Sequence, residues 1–252
     1  TLPYDNFSPH QDIISARLRC LAELNQTPKR SVLFLPISTL VQKVSPAGFI
    51  SGRVFKISTG SHLELSTFKH RLVEQAYQMV SQVEQHGEFA LRGSILDIFP
   101  MGSQQPFRIE FFDDEVESIR SFDVNTQLSI EKLDKVELLP AREFPLDNEG
   151  IKTFRQKFRQ QFDVDLGLCP IYEDVSQGIA SPGIEYYLPL FFDHLDNLFD
   201  YLPQDSQFLI EQGAYNGCEL FLNQVDKRYE SRRYDTQHPL LPPEQLYINQ
   251  DE

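Results

Sequence analysis

The sequence predicts a mixed α/β chain in which segments of helical and α/β character flank a small α+β unit built on an antiparallel sheet. Three observations predict it. Residues 11–50 run through a helical pattern, a short apolar segment and a second helical pattern; from Gly52 to Pro140 apolar residues recur instead with period two; after Pro140 helical spacing returns. The chain has 252 residues, 40% of them hydrophobic and 24% charged, which is enough to bury a core and excludes a disordered, collagenous or fibrous chain.

In the first segment Ile13, Ile14, Leu18, Leu21 and Leu24 keep helical spacing between the turn-prone Asn6-Phe7-Ser8-Pro9 and Thr27-Pro28. Residues 31–35, Ser-Val-Leu-Phe-Leu, suit a strand buried on both faces, and Ser38-Thr39 can cap a short helix through Val44. In the second segment residues 53–58 read as a strand, and a helix starts at Ser66-Thr67 and runs to about Met79. Residues 88–92, 94–99, 107–112 and 115–122 are four short strands with turns at Gly93, Met101-Gly102-Ser103 and Asp113-Asp114, and a further strand, 135–139, stops at Pro140. In the third segment Phe154 and Phe158 share one side of a Lys/Arg/Gln-rich helix, an aromatic stretch follows at 186–192, residues 208–210 suit a buried strand, and 214–234 a helix.

Net charge is −14, which argues against a direct, non-specific grip on nucleic acid or an anionic membrane. It is distributed unevenly: +2 over residues 1–50, −5 over 51–139 and −11 over 140–252. Cys20, Cys169 and Cys218 form no CxxC pair, so neither a zinc site nor a disulfide framework is expected, and a reducing cytoplasm is the default. No apolar run has the length of a membrane helix. The first residues, Thr-Leu-Pro-Tyr-Asp, carry neither initiator Met nor signal-peptide layout and read as cut from a longer chain.

No GxxxxGK[ST] or GxGxxG loop is present to cradle a phosphate, and the six histidines show no HExxH or HxH spacing. Asp113-Asp114-Glu115 with Glu110 and Glu117 could be imagined as a carboxylate metal site, but the two aspartates fall where a hairpin turns, and strand neighbours point to opposite faces. The sharpest signal is Phe107-Arg108-Ile109-Glu110-Phe111-Phe112. Alternation puts Phe107, Ile109 and Phe111 on a core face and Arg108, Glu110 and Phe112 on the other, leaving an exposed Phe beside an Arg. In the preceding strand Phe89 and Leu91 alternate with Ala90 and Arg92. In one sheet, Arg92, Arg108 and Phe112 gather into a patch of the residue types that dominate protein interfaces.

The run His86-Gly87-Glu88-Phe89-Ala90-Leu91-Arg92-Gly93-Ser94-Ile95-Leu96-Asp97-Ile98-Phe99-Pro100, followed by Phe107 to Glu115 and Ser118-Ile119-Arg120-Ser121-Phe122-Asp123, resembles the UvrB-homology module of the bacterial transcription-repair coupling factor family, Mfd. UvrB shares Arg92-Gly93 with Asp97-Ile98-Phe99-Pro100 and the Arg108 to Glu115 pattern. Leu2 to Ile14, Gly183-Ile184-Glu185-Tyr186 with Pro189 to Phe192, and Pro239-Leu240-Leu241-Pro242-Pro243 are similar to the coupling factors in particular, and the segment after Pro9 has no room for UvrB's long DNA-inserting hairpin.

The resemblance implies that residues 1–50 and 140–252 form domain 1, an incomplete helicase-like (RecA-like) α/β fold whose first strands and degenerate nucleotide site lie upstream. Domain 2, residues 51–139, is inserted into it. Domain 2 is implied to dock UvrA, the damage-recognition ATPase of nucleotide-excision repair, through Arg92, Arg108 and Phe112. The resemblance further implies a cytoplasmic, non-catalytic adaptor without cofactor or membrane contact. ATP and Mg belong to a C-terminal motor, RNA polymerase and DNA are bound by other domains, and the last domain covers the UvrA surface intramolecularly. The rival is a divergent nucleic-acid enzyme, either a helicase domain or a metal-dependent nuclease.

Overall fold

The computed structural model describes residues 2–26 and 31–248, so the Thr27-Pro28 stop lies outside the described residues. In chain order the elements are α1 (Gln11–Asn25), α2 (Ile37–Leu40), α3 (Ala47–Ser51), β1 (Phe55–Ser58), α4 (Leu65–Glu74), β2 (Gln78–Met79), β3 (Glu88–Arg92), β4 (Ile95–Ile98), β5 (Phe107–Phe112), β6 (Glu115–Phe122), β7 (Ser129–Leu133), β8 (Lys135–Leu138), α5 (Asn148–Gln161), α6 (Pro170–Ser176), α7 (Ala214–Arg232) and α8 (Pro243–Leu246). The chain is a mixed α/β protein of two compact units. One comprises residues 1–9, 24–47 and 148–252, the other residues 10–23 and 48–147.

The second unit holds both sheets. One has six strands in the order β2-β3-β4-β5-β6-β7, antiparallel throughout except for the parallel pair β2-β3; the other is the antiparallel pair β1-β8. Period-two alternation buries Phe89, Leu96, Ile98, Ile109 and Ile119 on one face of the large sheet. The opposite face is closed over part of its length as well, because Val83, Ala90, Phe99 and Phe122 form a buried apolar cluster there. Alternation places Ala90 with the exposed Arg92; that face opens toward the β3–β4 and β5–β6 hairpin tips and, at Arg120 and Lys132, across β6 and β7.

Helix α4 stops at Glu74, short of the expected Met79. Ala76 takes the left-handed conformation at φ 63°, Tyr77 N–H donates to the Leu72 carbonyl and Ala76 N–H to that of Val73, which is the closure usually supplied by glycine. The released chain then forms β2. Gly102 turns at φ 80° against Leu139, so closely that a Cβ there would sit 2.8 Å from Leu139 Cδ1. The Tyr77 hydroxyl, buried beneath this corner, donates to the Leu139 carbonyl at 2.6 Å, and burial pushes its pKa well above the ordinary phenol value.

The first unit is helical, with isolated bridges Gln42↔Tyr247 and Val44↔Asp196 but no strand among its described residues. Its core is aromatic: Phe154 lies 4.9 Å from Phe191, and Phe158 lies 5.2 Å from Tyr172, ring centre to ring centre. Gly183, at φ 82°, lets the backbone approach the Asp5 carbonyl oxygen, which a Cβ would meet at 3.0 Å. Arg228 binds Asp5 at 2.6 Å and the Pro3 carbonyl at 2.5 Å, tying α7 to the first residues.

Residues 31–35 and 208–210, both expected as buried strands, are not strands. Val32, Phe34, Phe208, Leu209 and Ile210 are exposed. An apolar run becomes a strand only where neighbours take its backbone hydrogen bonds, and none does so among the described residues.

Candidate partner-binding site

The three residues picked out by alternation lie on one face of the six-stranded sheet, but β4 comes between their strands and brings a fourth residue. The register aligns Ala90, Asp97, Arg108 and Arg120 in one row across β3 to β6, and Arg92, Ile95, Glu110 and Ser118 in the next. Asp97 therefore stands directly opposite Arg108 and one row from Arg92. It is 1% exposed. Arg108 grips it with both arms of the guanidinium, Nε donating to Oδ1 at 2.7 Å and Nη2 to Oδ2 at 2.9 Å, while Arg92 Nη2 also donates to Oδ2. The buried carboxylate is paired with two cations, and it holds the Arg108 pKa above its already high ordinary value.

The two arginines are not equivalent. The Arg92 side chain is 53% exposed and has a single bond to Asp97. Arg108 is only 19% exposed; its Nη1 donates to the Gln127 carbonyl at 3.2 Å and its guanidinium lies 5.0 Å over the Phe122 ring. Arg108 thus fastens the loop between β6 and β7 onto the sheet. That loop is braced by Asp123, whose Oδ1 accepts from the Thr126 N–H at 2.8 Å and the Thr126 hydroxyl at 3.0 Å, contacts that hold its carboxyl below the ordinary carboxylate range.

Phe112 ends β5 and is 69% exposed. Asp113 follows at φ 52° and makes the hairpin tip with Asp114, and the Phe111 N–H donates to the Ser94 carbonyl at 2.9 Å, joining the two hairpin tips at one end of the sheet. Arg92 and Phe112 both project from this end. Asp113 and Asp114 are solvent-exposed turn residues and Glu115 is the exposed first residue of β6, and among the described residues no three His, Cys, Asp or Glu side chains cluster so as to hold a metal ion.

Asp97 stands outside the residues that pattern singles out. Its signal is a lone carboxylate inside Ile95-Leu96-Asp97-Ile98, since a charge in an otherwise buried strand demands partners. Which partners is settled only by the strand order. Elsewhere Cys20 is an exposed free thiol and Cys169 and Cys218 are buried ones, and no helix among the described residues is long and apolar enough to cross a membrane.

Residues 55–144 match the family model of the UvrB interaction domain. The whole chain aligns with the transcription-repair-coupling factor of Haemophilus influenzae at 46% identity over 253 residues and with that of Escherichia coli at 44% over 253 residues, and 98% of it aligns with that of Rickettsia prowazekii at 32%. In each case it spans 22% of the relative's length. The chain belongs along its whole length to the transcription-repair-coupling factor family, with a UvrB interaction domain at residues 55–144.

Proposed function

We propose that this chain is a non-catalytic adaptor that recruits UvrA, through a surface like that of UvrB, to sites of stalled transcription for nucleotide-excision repair. The observation that carries the reading is the exposed end of the six-stranded sheet, where Arg92 and Phe112 project beside the Asp97–Arg108 pair. Arg92 and the free N–H groups of Arg108 bind carboxylates of the partner, and Phe112 fills an apolar pocket. A buried carboxylate that holds two guanidinium groups restricts their rotamers before the partner arrives, which lowers the entropic cost of docking. ATP-driven motion and contacts with RNA polymerase and DNA belong, on this reading, to other parts of the full-length protein, whose last domain covers the surface until activation. Immobilised chain should retain purified UvrA from solution; a chain acting only as a structural spacer would retain none.

A further inference from the structure

The row of the sheet that contains Asp97 and Arg108 continues past them. Arg108 is paired in register with Arg120 on β6, and Arg120 with Lys132 on β7. Directly opposed residues of an antiparallel pair share a face with Cβ atoms roughly 5 Å apart, and like charges so placed repel. Asp97 offsets Arg108 and Arg92. Nothing comparable offsets the other two: among the described residues neither Arg120 nor Lys132 forms a side-chain hydrogen bond or ion pair, and both are exposed. Residues 51–139 carry net charge −5, whereas these two rows hold four cations, Arg92, Arg108, Arg120 and Lys132, against the two carboxylates of Asp97 and Glu110, a local reversal of sign.

We infer that Arg120 and Lys132 are partner-binding residues, and that the docking surface is a cationic stripe running from Arg92 through Arg108 across β6 to β7. Its occupant is an acidic, carboxylate-lined face of the protein that docks on Arg92 and Phe112. The inference rests on the UvrA reading above. Continuity with that patch and charge complementarity select a protein surface; the acidic remainder of the unit opposes the long phosphate track of a nucleic acid. Because both residues are exposed, their main contribution is to the rate of encounter, where electrostatic attraction acts before contact and is screened by salt.

The test is surface-plasmon or stopped-flow kinetics of the 252-residue chain with purified UvrA at low and high NaCl, comparing wild type, Arg92→Ala and the double variant Arg120→Glu/Lys132→Glu. Circular dichroism confirms that each variant is folded. The double variant is expected to slow association at least about tenfold at low salt, with the difference shrinking at high salt and dissociation nearly unchanged. An unchanged association rate for the double variant, with binding still weakened by Arg92→Ala, overturns the stripe and leaves the UvrA reading standing. If Arg92→Ala is also silent, both fall. Duplex DNA is the control ligand: binding to DNA that the double variant abolishes, with UvrA association unaffected, assigns the stripe to phosphates and overturns the inference.

Discussion

Arg108 spans both carboxylate oxygens of Asp97, at 2.7 and 2.9 Å, while the same carboxylate also accepts a hydrogen bond from Arg92. One buried anion therefore organises two cations of unequal exposure, and the consequences of removing each differ.

Arg108→Ala removes a bidentate pair, the tie to Gln127 and the cover over Phe122, and should cost about 2 kcal/mol of stability. Arg92→Ala leaves Asp97 still held by Arg108, and at an exposed site it should cost under about 1 kcal/mol. Urea unfolding of the two variants checks the order; equal losses would contradict it.

Asp97→Asn keeps the shape of the side chain but removes the charge that both guanidinium groups share. It should weaken UvrA binding about tenfold even though Asp97, at 1% exposure, cannot itself meet a partner. Calorimetry gives the affinity, and the Arg108 Nε–H signal in a nitrogen-15 spectrum, lost in the variant, reports the freed side chain.

Much of this site was legible beforehand, for identifiable reasons. Strands β3, β5 and β6 matched their predicted bounds because one face is buried and alternation is strong along them. Strand β7 escaped because residues 129–132 are all exposed at the sheet edge and carry no alternation. The apolar runs at 31–35 and 208–210 misled for the opposite reason, since composition announces burial without showing whether a neighbouring strand exists. Alternation placed Arg92, Arg108 and Phe112 on one face. It could not reveal that Arg108 is largely covered, which depends on the β6–β7 loop and Phe122 lying against it, nor that Asp97 pairs it, which depends on β4 lying between β3 and β5.

Gly102→Ala should destabilise the second unit by about 1–3 kcal/mol, because φ 80° is strained for alanine and the new methyl meets Leu139 at 2.8 Å. A thermal midpoint unchanged from wild type would count against this corner being rigid.

Phe154→Ala, at a fully buried ring packed against the tilted rings of Phe158 and Phe191, should cost about 3–5 kcal/mol in urea unfolding. A loss below about 1 kcal/mol would show that the aromatic cluster of the first unit is not its core.

The loop that Arg108 fastens has a pH dependence of defined sign. Hydrogen bonds from Thr126 depress the Asp123 pKa in the folded state, so their stabilisation is fully present above the unfolded carboxylate value and is lost as pH falls through the folded one. Thr126→Val keeps the backbone donor but removes the hydroxyl, and should move the Asp123 titration upward toward the ordinary carboxylate range. Side-chain carboxyl NMR follows it directly; an unmoved titration would exclude the hydroxyl contact.

Whether the exposed end of the sheet docks UvrA is decided by titration calorimetry of UvrA into wild-type and Arg92→Ala chains, since Arg92 can be removed with little cost to the fold. Wild type should bind measurably, and Arg92→Ala should bind at least about tenfold more weakly with a thermal midpoint lowered by no more than a few degrees. Equal affinities for the two chains, or no binding by the wild type, would contradict docking at this end of the sheet.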